Sequence, residues 1–216
     1  TGDGDYQYPN NRYKKGIFDL VNFQVFQDIE NVYFRLKFRE FSNPISYSPG
    51  GELFSPGAVI AIDRNLNEVK QHSFHGVTTG NVDGYDIKIN IGTNISLTNN
   101  FGQVFYSTPY VFDQMADPAN NTIEFSLPIS TLGRPDNWKY FVGIGLVSDR
   151  TMDYIYGGPM FVVKDPRVFI GGGNYNSGNP DFIDILLPDV YDQEKILGDY
   201  DFTTGKKALV PMLESK

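Results

Sequence analysis

The sequence predicts an all-β fold, an antiparallel β-sandwich with very little helix. Strand-sized segments in which apolar and polar residues alternate recur along the 216 residues, and clusters of turn-forming residues separate them. Helical periodicity is scarce and is confined to a short segment at 191–197. With 40% hydrophobic and 15% aromatic residues, the chain can bury a substantial core. We therefore expect one large sandwich domain over residues 1–216.

The clearest element is a β-hairpin within residues 17–44. In its second strand apolar and polar side chains alternate with a period of two from Val32 to Arg39. The first strand shows the same alternation at Phe23 and Val25, and a short polar turn at 27–31 joins the two strands. We expect the apolar side of the second strand, including Phe34 and Phe38, to face the core. The basic side, Tyr33, Arg35, Lys37 and Arg39, is then expected to face solvent.

The remaining strands follow from similar patterns. Residues 58–63 are continuously apolar up to Asp63, which predicts a central strand buried on both faces. Residues 85–91 alternate isoleucine with polar residues and predict a strand with one buried face. Its expected partner is a strand at 103–107, reached across a turn at 99–102. Further strands are expected at 122–127, 140–147, 160–163 and 168–170.

Charge and composition narrow the functional classes. Lys and Arg number 18 against 26 Asp and Glu, and the net charge of −8 argues against nucleic acid or an anionic membrane as partner. The chain has no cysteine, so disulfides and thiolate metal sites are excluded. No apolar run approaches the ~20 residues of a transmembrane helix. The chain starts at Thr1 without an initiator Met or a signal peptide, so we expect it to be a piece of a longer protein.

The sequence contains no familiar catalytic motif. A GxSxG nucleophile elbow, a HExxH zinc motif and a phosphate-binding GxxxxGK[ST] loop are all absent. Asp199 and Asp201 have the residue type of a general acid and general base pair, but carboxylates two residues apart on a strand usually form a solvated face. We therefore expect the chain not to be an enzyme.

Aromatic residues point to a binding site for sugars. Trp138 comes just before an apolar strand, and Tyr154 and Tyr156 lie in a loop expected at one end of a sheet. Flat rings stack on the C–H faces of sugars, while nearby Asp149 and Arg150 can accept from and donate to hydroxyl groups. These five residues are the predicted carbohydrate-binding site. Packing of the same rings in the core is the alternative.

Several short motifs, in conserved order along the chain, resemble the C-terminal domain family of glucodextranase. They begin with Gly4-Asp5-Tyr6-Gln7-Tyr8-Pro9 and Gly16-Ile17-Phe18-Asp19-Leu20 and continue at residues 38–44, 169–173, 180–186 and 210–213. The likeness runs from about Gly4 to Leu213, which is nearly the whole chain. The resemblance implies a DOMON-like β-sandwich of the immunoglobulin-like jelly-roll type, related to family nine carbohydrate-binding modules.

The resemblance also implies a function. Similar domains are attached to amylopullulanases and related secreted α-glucan hydrolases, especially those of thermophiles. The expected role is a non-catalytic accessory module that binds an α-glucan polysaccharide or a glycan of the cell envelope. The expected partner is a parent catalytic domain, and the expected location is extracellular or at the cell surface.

A structural calcium ion is implied by the resemblance as well. Similar domains carry a Gly-Asp-Asp run before the Tyr-x-Tyr-Pro segment, and that run would fall before or at Thr1 here. Asp3, Asp5 and Asp19 remain as the implied ligands, since carboxylate oxygens suit calcium. An ordinary hydrogen-bonded Asp19 is the alternative.

Two other functions remain open from the sequence. A DOMON-type haem domain for electron transfer would take an axial methionine from Met115, Met152 or Met160 together with a histidine or lysine. A purely structural interaction domain would instead present an apolar surface patch and bind no sugar.

Overall fold

The computed structural model describes residues 19–40, 54–64, 70–74, 76–79, 84–92, 94–109, 115–148, 180, 182–201 and 203–214. These residues form fourteen strands and two short helices, which confirms the predicted all-β class. The strands are β1 (Leu20–Gln27), β2 (Asn31–Phe38), β3 (Phe54–Asp63), β4 (Ser73–Phe74), β5 (Val77–Thr78), β6 (Ile87–Ile91), β7 (Asn94–Asn99), β8 (Val104–Pro109), β9 (Ala116–Asp117), β10 (Thr122–Pro128), β11 (Lys139–Ser148), β12 (Asp184–Ile185), β13 (Ala208–Leu209) and β14 (Leu213–Glu214). The helices are α1 (Ile129–Leu132) and α2 (Gln193–Gly198).

Two antiparallel sheets make the sandwich. The four-stranded sheet has the order β1-β2-β10-β9, and the seven-stranded sheet has the order β12-β11-β3-β6-β7-β8 with β14 beside β11. A small third sheet, β13-β5-β4, contains a parallel pair between β13 and β5. The predicted antiparallel sandwich is therefore confirmed.

The opening hairpin forms as the alternation predicts. Strands β1 and β2 pair antiparallel, with Val25 opposite Phe34. The turn closes through a hydrogen bond from the backbone N–H of Asp28 to the carbonyl of Asn31, 3.0 Å long. Phe34 and Phe38 are fully buried, so the expected assignment of the two strand faces is confirmed.

The main core lies between the two large sheets. It contains the inward side chains of β1, β2 and β10 on one side and those of β3, β6, β7 and β11 on the other. Phe34 lies near its centre and stacks on Phe125 with ring centroids 5.1 Å apart. Aromatic side chains bury a large area per residue, so this hairpin contributes much of the apolar burial of the sandwich.

A second core covers the other face of the seven-stranded sheet. Strand β3 places Ile60 and Ile62 in the main core, whereas Val59 and Ala61 belong to the second core. The small third sheet and α2 contribute Phe74, Val77, Leu197 and Ala208 to that second core. The prediction that this apolar run is a central strand buried on both faces is therefore confirmed.

Two predictions for the following strands need correction. Residues 103–107 pair with β7, not with the strand at 85–91, because the tight turn at 99–102 joins β7 to β8. Strand β6 also has no solvated face: Asp86, just before it, is 2% exposed and Asn90 is 8% exposed. Ile87, Ile89 and Ile91 of β6 face the main core, and its other face lies beside Val59 and Ala61 of β3, on the side of the second core.

The expected short helix at 191–197 is confirmed as α2. Asp192 caps its first turn, because the Asp192 side chain accepts hydrogen bonds from the backbone N–H groups of Glu194 and Lys195. The strands expected at 160–163 and 168–170 lie outside the described residues.

Buried carboxylates have partners that tie the structure together. Asp86 accepts a 2.8 Å hydrogen bond from the backbone N–H of Arg64 and pairs with the Arg64 guanidinium. Asp63, at the end of β3, pairs with Lys70 at 2.7 Å. Asp184, in the seven-stranded sheet, accepts a 2.6 Å hydrogen bond from the backbone N–H of Leu20 in the four-stranded sheet. These bonds offset the cost of burying charge.

Candidate functional site

The outer side of the four-stranded sheet carries a polar surface that we call the open face. It consists of the side chains that β1, β2 and β10 direct away from the main core. The cross-strand register arranges these side chains in three rows. They are the aromatic row (Phe26, Tyr33, Ser126), the charged row (Gln24, Arg35, Glu124) and the lysine row (Asn22, Lys37, Thr122). Successive rows are two residues apart, so the rows span about 13 Å along the strands.

The aromatic row is an ordered pair of rings. Phe26 and Tyr33 stack with ring centroids 4.8 Å apart and an angle of 2° between their planes. The hydroxyl of Tyr33 donates a 2.6 Å hydrogen bond to Asp28 in the hairpin turn, which holds its ring in place. The same bond lowers the pKa of Asp28 and raises the pKa of Tyr33. Phe26 is 47% exposed, so an apolar surface is available to a ligand.

The charged row is internally neutralised. The Nε of Arg35 donates to Glu124 at 2.7 Å, and its Nη1 donates to Gln24 at 3.3 Å. Both charged side chains remain partly exposed, so their mutual attraction is screened and contributes little to stability. The two bonds nevertheless fix the orientation of the planar guanidinium between two strands.

A groove of about 610 Å³ runs over the charged and lysine rows. This volume lies within the usual range for small-molecule sites. The groove is lined by the amides Asn22, Gln24 and Asn120, by the charged Arg35, Lys37 and Glu124, and by Val21 and Thr122. Val21 and Asn22 both reach this surface because a β-bulge between Leu20 and Asn22 shifts the register.

The chemistry of the groove suits binding and not hydrolysis. Glu124 is the one carboxylate among the eight lining residues, and it is paired with Arg35. Glycoside hydrolysis normally requires two carboxyl groups that flank the scissile bond. The lining residues also include no histidine or cysteine as a general base or nucleophile. Amides, a guanidinium and an ammonium group instead provide hydrogen bonds to a polar ligand.

Trp138 does not lie on this surface. It is 2% exposed and packs in the main core, with its ring centroid 6.3 Å from that of Tyr140. A sugar needs an exposed ring face, so the structure places Trp138 in the packing role that was the alternative to stacking on a ligand. The other predicted sugar-binding residues, Asp149, Arg150, Tyr154 and Tyr156, lie outside the described residues.

Asp19 is the one implied calcium ligand that the structure describes. Its Oδ2 accepts a 2.6 Å hydrogen bond from the Nε of Arg39, so it takes part in an ion pair at the start of β1. Asp184 lies close by through its bond to Leu20. Burial, with a smaller contribution from the Asp19 charge, raises the pKa of Asp184 to about 6. Asp3 and Asp5 lie outside the described residues, and the described part of the chain contains no group of three acidic, histidine or cysteine side chains that could hold a metal.

A second polar region lies on the other face of the seven-stranded sheet. Burial lowers the pKa of Lys88, and the Oδ1 of Asn90 has no hydrogen-bond partner in the part of the chain that the structure describes. Ser96 and Thr98 stand opposite these residues on β7 and are also buried. Buried polar side chains of this kind normally have a partner, such as a protein group or an ordered water.

The open face could not be recognised as a site from the alternation of β2 alone. The basic residues of β2 were expected to be a solvated side, which is the ordinary state of such a strand. The useful signal is Phe26, an aromatic residue placed in β1 on the same side as Asn22 and Gln24. An apolar ring among polar side chains is the one departure from the ordinary solvated side of this strand.

An all-β sandwich with a polar groove on its open face is compatible with a binding module. The comparison with protein families agrees: the C-terminal, SLH-like binding module of glucodextranase matches residues 1–212. The chain belongs to this family. A comparison with curated proteins finds no match.

The helices of the described residues are short. None of them is long and apolar enough to cross a membrane.

Proposed function

We propose that this chain is a non-catalytic accessory module that binds carbohydrate, either an α-glucan or a glycan of the cell surface. The observation that carries this proposal is the family match over residues 1–212. The groove on the open face adds physical support, because its amides and charged groups suit a hydroxyl-rich ligand.

The family match also supports a proposal about the parent protein. A binding module of this kind holds its enzyme near an insoluble or bulky substrate, which raises the effective concentration of that substrate. We propose that the parent protein is a secreted glycoside hydrolase active on α-glucans, located outside the cell or at its surface. Tyr154, Tyr156, Asp149 and Arg150 remain predicted contacts with the glycan.

Binding of the unmodified chain to glycans is the direct test. Affinity electrophoresis and calorimetry with starch, pullulan and dextran should give dissociation constants of roughly millimolar to micromolar, as shallow sites do. Sedimentation with purified cell envelopes tests the second type of target. Absence of binding to all four materials would show that the proposal is wrong. Tyr154→Ala should weaken binding, whereas Tyr154→Phe should retain the stacking surface and most of the affinity.

We also propose a structural calcium ion with Asp19 among its ligands. The carboxylates of Asp19 and Asp184 lie near one another at the start of β1, and hard oxygen donors of this type suit calcium. The ion would be held by Asp19 together with Asp3 and Asp5. It would tie the N-terminal segment to the sandwich.

Thermal unfolding in excess calcium and in chelator tests this second proposal. The Tm should be higher in calcium, because an ion that binds only the folded state stabilises it by mass action. Asp19→Ala should abolish the difference. Arg39→Ala is the matched control, since it breaks the same ion pair but leaves the carboxylate, and its calcium effect should persist. An identical Tm for the unmodified chain in both buffers would overturn the calcium proposal.

A further inference from the structure

We propose that the open face is a glycan-binding surface of this module, in addition to the contacts predicted at Tyr154 and Tyr156, and that its ligand is a run of several linked sugars in a neutral polysaccharide. This inference rests on the proposed function and adds the place and the class of ligand. It is carried by the three ordered rows of side chains on β1, β2 and β10.

The length of the open face argues for a chain and against a single sugar. The three rows extend over about 13 Å along the strands, which is longer than one sugar ring. The groove covers two of the rows, and the exposed ring of Phe26 continues the same surface beyond it. A ligand that contacts all three rows must therefore contain several linked sugars.

The order of the rows matches the two kinds of surface that a sugar presents. The flat C–H face of a sugar ring is apolar and packs on an aromatic ring. Tyr33 covers one face of Phe26, and the remaining surface of Phe26, which is 47% exposed, is the part that a sugar can contact. The hydroxyl groups at the rim need donors and acceptors in fixed positions. Gln24 and Arg35 supply them in the charged row, and Asn22 supplies them in the lysine row.

Preorganisation lowers the cost of binding. The hydrogen bond from Tyr33 to Asp28 and the stacking of Phe26 on Tyr33 hold the aromatic row in place before a ligand arrives. The bonds from Arg35 to Glu124 and Gln24 hold the charged row. Because these side chains are already ordered, less conformational entropy is lost on binding.

The charge of the surface favours a neutral ligand. Arg35 is neutralised by Glu124, so Lys37 is the one charge in the groove without an ion-pair partner among the described residues. The chain as a whole has a net charge of −8, which repels a strongly anionic polymer. The single positive charge of Lys37 does not require an anionic ligand, because its ammonium group also donates hydrogen bonds to the hydroxyl groups of a neutral sugar.

Calorimetry on the full chain tests the location of the site. The probes are a neutral linear α-glucan hexasaccharide, glucose and polygalacturonate. Phe26→Ala should weaken hexasaccharide binding by about tenfold, and Gln24→Ala by about threefold, from the loss of one stacking contact and one hydrogen-bonding group. Phe101→Ala is the control, because Phe101 is an aromatic residue that is even more exposed than Phe26, 71% against 47%, and lies in the turn between β7 and β8 of the other large sheet.

The outcomes separate this inference from the proposed function. If the unmodified chain binds the hexasaccharide while Phe26→Ala and Gln24→Ala bind it equally well with unchanged Tm, the open face is not the site and only this inference fails. If the unmodified chain binds none of the probes and none of the polysaccharides or envelopes above, the proposed function itself fails. Equal affinity for glucose would overturn the assignment of a ligand with several linked sugars. Tighter, salt-sensitive binding of polygalacturonate would overturn the neutral class.

Discussion

At the scale of single residues, the alternation of side chains between the two faces of a strand gives neighbouring aromatic residues opposite roles. Phe34 points inward from β2 and is fully buried, whereas Tyr33 beside it points outward and stacks on Phe26. A shift of one residue in register would exchange the two sides. The local pattern of the hairpin therefore determines which of its own side chains enter the main core and which lie on the outer side of the sheet.

Phe34→Ala should be among the more destabilising substitutions in the chain. Phe34 is fully buried and contacts the rings of Phe23 and Phe125, so its loss leaves a cavity and should cost about 3–5 kcal/mol in urea unfolding. Phe101→Ala is the control, since Phe101 is 71% exposed and its removal should change stability by less than about 0.5 kcal/mol. A cost below about 1 kcal/mol for Phe34→Ala would contradict the central position of this ring.

Asp184→Asn should change the pH dependence of stability. Because burial raises the folded pKa of Asp184 to about 6 from 3.8, the folded state binds more protons than the unfolded state between these values. The stability that this carboxyl contributes is therefore complete below pH 3.8 and is lost as the pH rises through about 6. An amide keeps an acceptor for the N–H of Leu20 without the buried charge.

Asp184→Asn should thus be more stable than the unmodified chain at pH 7.5, by at most about 3 kcal/mol in the free energy of unfolding. Near pH 4 the free energies of unfolding of the two proteins should become similar. Urea unfolding at both pH values, in excess chelator so that calcium does not contribute, measures this difference. The same difference at both pH values would show that Asp184 is not the titrating group.

At the scale of elements, β11 connects the two cores. It pairs with β3 along ten residues and with β12 and β14 on its other edge. Its side chains alternate between the cores: Tyr140, Val142 and Ile144 face the main core, and Phe141 faces the second core. Gly143 follows on the second-core side, where the ring of Phe182 packs directly against the strand.

Gly143→Ala should destabilise the protein through this packing. A Cβ at position 143 would lie 2.5 Å from the ring of Phe182 and 2.9 Å from the ring of Phe141. Since both rings are buried and packed on each other, relief of the overlap should cost about 1–3 kcal/mol. Gly198→Ala at the end of α2 meets no atom within 4 Å and should leave stability equal or slightly higher. Thermal unfolding compares the two, and equal Tm values would contradict the close approach of Phe182.

At the scale of the whole molecule, the seven-stranded sheet belongs to both cores. Ile60 and Val59 are neighbours on β3 but lie in different cores. The two cores cannot separate without disruption of the same strand. We therefore expect residues 1–216 to unfold as one cooperative unit.

The single tryptophan provides the test of this expectation. Trp138 is buried in the main core, so its fluorescence reports unfolding there, while far-UV circular dichroism reports all strands. The two urea transitions should coincide. Phe182→Leu, which weakens the second core, should shift the tryptophan transition by the same amount as the dichroism. Separate transitions, or a tryptophan signal unaffected by Phe182→Leu, would show two independent units.

The sequence by itself determined the features that depend on neighbours along the chain. The period of two in 32–39 predicts which side of β2 is buried, and the continuous apolar run at 58–63 predicts a strand that is buried on both faces. Both patterns are local, so no knowledge of distant partners is needed to interpret them. The family resemblance, carried by motifs from one end of the chain to the other, was confirmed as well.

Tertiary structure alone decided which polar and aromatic side chains are exposed. Trp138 and Asn90 look available in the sequence, yet both are buried because segments far away in the chain cover them. Arg35 and Glu124 become parts of one surface because β2 lies between β1 and β10, a pairing that joins residues 89 positions apart. Burial and proximity depend on such long-range contacts, whereas alternation depends on the strand itself. For that reason the sequence predicted the sandwich, and only the folded chain revealed the open face.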